Sequence, residues 1–64
     1  MTANQISLYQ KIVYESPKRV IVGEVLTFPE WRRGAYLVVF RGRDGIDYVG
    51  DLKYIHLVEE LRSL

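Results

Sequence analysis

The feature that most constrains this chain is a turn signal set between two β-prone runs. Residues 35–40, Ala-Tyr-Leu-Val-Val-Phe, are its most apolar stretch. Arg41-Gly42-Arg43-Asp44-Gly45 comes next, and then Ile46-Asp47-Tyr48-Val49. Asp-Gly at such a junction favours a hairpin, because glycine accepts the positive φ that the turn requires. Two registers are open. A three-residue loop, Arg43-Asp44-Gly45, sets Phe40 opposite Tyr48 and Arg41 opposite Asp47, an aromatic pair on one face and an ion pair on the other. A two-residue turn at Asp44-Gly45 sets Arg41 against Tyr48 and wastes the charge match. The first register is therefore expected.

A chain of 64 residues is read as one domain, residues 1–64, that buries only about 60% of its unfolded surface. Domains of this size gain extra stability from disulfides, metals or association. There is no cysteine and a single histidine, His56, so neither a disulfide nor a metal centre is expected, and association is the remaining support. Nine basic and eight acidic residues give a net charge of +1, a balance that does not demand nucleic acid or membrane. No apolar run approaches the ~20 residues that span a bilayer. The first residues carry no basic segment with a long apolar core, so no signal peptide is expected. The corresponding expectation for location is the cytoplasm.

Residues 1–4 read as a loose end. From Gln5 the pattern has period two, with Ile6, Leu8, Gln10, Ile12 and Tyr14 on one side and Ser7, Tyr9, Lys11, Val13 and Glu15 on the other, which predicts a strand. Glu15-Ser16-Pro17-Lys18 reads as a turn, and Arg19 to Phe28 as a second strand. With Glu15 facing Arg19, Ile12 meets Val22, Leu8 meets Leu26, and the two polar exceptions, Gln10 and Glu24, meet each other. Residues 29–34 read as a loop. From Asp51, a suitable N-cap, Tyr54, Leu57, Val58, Leu61 and Leu64 share one helical stripe, and Glu59 and Arg62 sit three apart on its exposed side. The expected fold is α+β: a small four-stranded antiparallel meander, flat or curled like a barrel, with one helix over residues 51–64.

Both faces of that sheet are apolar through the middle, whereas a sheet with one wet face alternates apolar and polar residues. One helix covers one face. The second, with Tyr9, Val13, Ile21, Val25, Leu37, Val39 and Val49, needs a second copy, another protein, or curling of the sheet to cover it. Trp31, Arg32 and Arg33 supply the residue types most enriched at interface hot spots. These residues, Val49 apart, form the expected protein interface, and a homo-oligomer, an inhibitor or an accessory subunit is the expected function. The alternative is a nucleic-acid binder using Lys18, Arg19, Arg32, Arg33, Arg41 and Arg43 against phosphates. His56 has no positioned partner in sequence, and no nucleophile–base or carboxylate pair is apparent, so no enzyme and no cofactor are expected. Glu24, on an apolar face, is a candidate for a perturbed carboxylate whose simpler reading is an open place in the sheet beside Gln10.

Overall fold

The computed structural model describes residues 2–58. Among these residues six antiparallel strands form one curled half-barrel: β1 (Lys11–Glu15), β2 (Val20–Val25), β3 (Glu30–Arg32), β4 (Ala35–Gly42), β5 (Asp47–Asp51) and β6 (Ile55–Leu57). Single 3-10 turns cover Ala3–Gln5 and Leu52–Tyr54. β4 is the hub. It pairs with β5 along one edge, and with β2 and β3 at opposite ends of the other. β2 pairs on with β1, and β1 with β6.

The four-stranded meander with a C-terminal helix is thus corrected to an all-β architecture. Among the described residues only the 3-10 turns and the helical conformation of Val58 depart from strand and loop, and positions 59–64 of the expected helix lie outside them. Asp51 does cap, its carboxylate accepting from the Lys53 N–H at 3.0 Å, but it opens a single 3-10 turn and no longer helix. The reason is tertiary. Leu52 and Ile55, 6% and 2% exposed, both bury across that turn, and Ile55 and Leu57 then face inward at strand spacing while β6 satisfies the edge of β1.

The β1–β2 register also differs from the expected one, by one residue. Glu15 faces Val20, not Arg19, and Ile12 faces Gly23, not Val22. The connection is a four-residue turn built by Ser16. Its N–H donates to the Arg19 carbonyl at 2.9 Å, and its hydroxyl oxygen accepts from the N–H groups of Lys18 and Arg19, both at 3.3 Å, as serine does in turns. A one-residue slip turns every side chain to the other face. Ile21, Gly23 and Val25 therefore point inward with Ile12.

The expected hairpin register is observed, with Phe40 opposite Tyr48 and Arg41 opposite Asp47. Gly45 has φ +81°. Residues 29–34, expected as a loop, hold β3 and a two-residue turn in which Arg33 (φ +51°) and Gly34 (φ +87°) are both left-handed, the geometry that matches hairpin twist. Between β2 and β3 the chain bulges. The N–H groups of Leu26 and Thr27 both reach the Val39 carbonyl, at 2.8 and 3.3 Å, and the Thr27 hydroxyl accepts from the Val39 N–H at 3.2 Å. This bulge shifts the register along β4 by two residues and helps curl the sheet.

Curling lets the sheet cover its own inner face. Ile6, Ile12, Val25, Val38, Phe40, Leu52 and Ile55 are buried there, each contributing about 1.5–3 kcal/mol of burial free energy before entropic costs. Tyr14, Phe40 and Tyr48 stack through them, with ring centroids 5.2 and 5.8 Å apart.

Candidate functional site

The expected interface residues do not share one surface. Val25 is fully buried and Ile21 half-buried against the core, so neither presents itself to a partner. Tyr9, Val13, Leu37 and Val39 lie outside; Tyr9 is 70% exposed, the other three half-buried. Trp31 is 60% exposed and does not fold back to cap the core.

Trp31 faces Tyr36 across the β3–β4 hairpin. The rings meet edge to face, centroids 4.9 Å apart at 65°. Tyr36 lies on the side of β4 that carries Val38 and Phe40, so the pair extends the inner face of the sheet past the end of the core. Beside it runs a shallow depression of about 320 Å³ bounded by Trp31, Gly34, Tyr36 and the 3-10 turn residues Leu52 and Lys53. Arg32 turns aside to bond Glu30 at 2.9 Å.

The six cations of the nucleic-acid alternative are likewise divided. Arg32 is paired with Glu30 and Arg41 with Asp47. Arg33 stands before the start of β4, while Arg43 lies past its end, an extended strand of roughly 25 Å away. Arg19 and Arg43 do come together, bordering one depression with Val20 and Tyr48. The Arg19 guanidinium carbon lies 5.9 Å from the Tyr48 ring centroid. The Tyr48 hydroxyl donates to Asp44 at 2.6 Å. That bond, joined by the Ile46 N–H, holds the Asp44 carboxyl below its ordinary range, and it raises the Tyr48 hydroxyl above its own.

On the outer face, Arg41 donates to Asp47 at 2.8 Å, which holds the Asp47 carboxyl below its ordinary range and raises the guanidinium above its own. Glu24 is exposed, lying opposite Lys11 on one side and Arg41 on the other, so it sits among cations and not beside Gln10. A groove of about 510 Å³ runs here, bordered by Tyr9, Lys11, Glu24, Leu26, Arg41 and Arg43. Tyr9 enters it with φ +62°, a backbone state costing an ordinary residue about 1 kcal/mol. Its N–H donates to the Val25 carbonyl at 2.7 Å.

Sequence reasoning misses three members of this outer surface. Strand parity places Leu26 and Val49 on a face without marking them as contacts, and nothing local singles out Lys11. The alternating charges Lys11, Glu24, Arg41 and Asp47 are visible as letters, but only the correct register puts them in line. His56 is half-buried and pairs with Val13 in the β6–β1 ladder. Among the described residues no cluster of three His, Asp or Glu side chains could hold a metal ion, and no helix is long and apolar enough to cross a membrane. Compared with known families, curated proteins and solved structures, the chain matches none of them.

Proposed function

We propose that the chain is a small non-enzymatic protein-interaction module whose primary contact is the β3–β4 hairpin. The observation that carries this reading is the exposed aromatic pair. Trp31, the chain's only tryptophan, is held edge to face against Tyr36 while remaining 60% exposed. It contributes nothing to the buried core. Two rigid aromatic rings lose little conformational entropy on binding and offer a large contact area. The tight Arg33-Gly34 turn fixes them in place, and the depression beside Leu52 gives a partner side chain a seat. A peptide segment of another protein, docking an apolar residue against Trp31, fits this surface.

The test is selection from a displayed random-peptide library on the wild-type chain, with depletion on the Trp31→Ala variant. The reading expects one enriched sequence class that binds wild type, blue-shifts tryptophan emission, and loses at least tenfold in affinity on Trp31→Ala. Enriched peptides that bind Trp31→Ala equally well, or no enriched class, refute it.

A further inference from the structure

The outer face of β1, β2, β4 and β5 carries a row of charges that crosses the sheet at right angles to the strands. Lys11 stands opposite Glu24, Glu24 opposite Arg41, and Arg41 opposite Asp47. All four are exposed, and the row reads plus, minus, plus, minus. An apolar row runs alongside it. Leu26 is bonded through its backbone to Val39, Val39 pairs with Val49, and Tyr9 borders the groove next to Leu26. Tyr9 and Val49 are 70% and 64% exposed.

We infer that this face binds a second copy of the chain about a twofold axis parallel to the strands, passing between Glu24 and Arg41. A twofold in that direction reverses the order of the row. Lys11 then meets the partner's Asp47, and Glu24 meets the partner's Arg41; symmetry supplies the other two contacts, because a twofold interface is isologous. Every charge faces its opposite. A twofold at right angles to the strands would lay each charge on its own copy, Lys11 on the partner's Lys11, so the row selects one orientation. The same axis lays the apolar row on itself, with Tyr9 over the partner's Val49 and Leu26 over the partner's Val39. Strands in the two copies run aligned, as face-packed sheets do.

The apolar row supplies the driving force and the charge row the register, since charge complementarity gives specificity more than affinity. A stable interface buries at least about 1,000 Å² in total. Shared between two copies, this is roughly one tenth of the 4738 Å² surface of each. The left-handed Tyr9 is accounted for as well: the fold would be served there by glycine, and the tyrosine ring is spent on the contact. The Trp31 hairpin stays outside this interface, so the inference stands apart from the function proposed above.

The experiment is sedimentation equilibrium of the full chain over a wide concentration range, with two charge-reversed variants. Wild type is expected to be a dimer that weakens with salt. Glu24→Lys alone sets like charges face to face at both Arg41 contacts, and Arg41→Glu alone does so at both Glu24 contacts; each is expected to dissociate at least tenfold more readily. Mixed together, the two variants restore four opposite-sign contacts and are expected to form a one-to-one heterodimer. Val49→Asp, at an exposed position, is expected to be a folded monomer by far-UV circular dichroism. Tryptophan emission is expected to be unchanged on dimerisation. A monomeric wild type at every concentration, a dimer that Glu24→Lys and Val49→Asp leave intact, or an emission shift marking Trp31 as the contact would each overturn the inference.

Discussion

Gly23→Ala is the substitution that bears hardest on the fold. Gly23 pairs with Ile12 on one side and Gly42 on the other, at the crossing where β2 leaves β1 for β4. A Cβ built there runs into the Arg41 carbonyl, with the Arg41 carbonyl carbon at 2.9 Å and the Gly42 Cα at 3.2 Å. These are backbone atoms, which no rotamer change can move. To admit a methyl group, β2 and β4 must part by several tenths of an ångström. They are joined by only three residue pairs, one of which is Val25 with Phe40, both fully buried. Overpacking of this kind costs about 1–3 kcal/mol, and parting the ladder pushes the cost to the upper end. A domain this small holds about 3–5 kcal/mol in all. With a urea dependence of about 1 kcal/mol per molar, the midpoint should fall by about 3 M or the variant should not fold. Far-UV circular dichroism at a fixed low chain concentration reads this directly; exposed Trp31 would report unfolding poorly. Gly34→Ala is the control. Its Cβ meets nothing within 4 Å, and its φ of +87° alone is strained, so about 1 kcal/mol is expected. A Gly23→Ala midpoint no lower than that of Gly34→Ala would refute the close approach of β2 and β4.

Tyr9→Gly is expected to be more stable than Tyr9→Ala by about 1 kcal/mol, the reverse of the order at ordinary positions, because φ at residue 9 is +62°; equal urea midpoints would contradict that backbone state. Trp31→Ala is expected to cost about 1 kcal/mol or less, the worth of an exposed edge-to-face pair, and a larger loss by thermal melt would mean that the ring supports the core. Acid should weaken the fold through Asp44 and Asp47, whose carboxyls lie below their ordinary range. The stability they contribute is complete above the unfolded carboxylate value of about 3.9 and is lost as pH falls through their folded values. Urea midpoints measured from pH 6 down to pH 2 should therefore drop below about pH 4, with a shallower drop in Asp44→Asn and Asp47→Asn; an unchanged slope in both would contradict the two hydrogen bonds. At the alkaline end, the raised Tyr48 hydroxyl makes stability fall above about pH 10, and Tyr48→Phe should remove that contribution.

How much of the fold is legible in the sequence depends on whether a local signal has a competitor. The β4–β5 hairpin is legible to the residue, because Asp44-Gly45 fixes the turn and the Arg41 and Asp47 charges distinguish its two registers. The β1–β2 pairing has no such arbiter. Aligning Gln10 with Glu24 matches one polar exception to another, but the observed turn is one residue longer and is held by the Ser16 hydroxyl bonds. The slip then assigns Ile21 and Val25 to the wrong face. The C-terminal segment misleads for a different reason. Tyr54, Leu57 and Val58 suit a helix by spacing, but Leu52, Ile55 and Leu57 also suit a 3-10 turn leading into a strand, and the unpaired edge of β1 decides between them. That edge exists only once the sheet has curled, so no window of local sequence contains it. The same holds for the row of Lys11, Glu24, Arg41 and Asp47. Its members come from four strands and become a row only when three registers are simultaneously right. A binding surface written across strands is therefore the last thing a sequence yields, and it is where a wrong register by one residue changes the functional reading most.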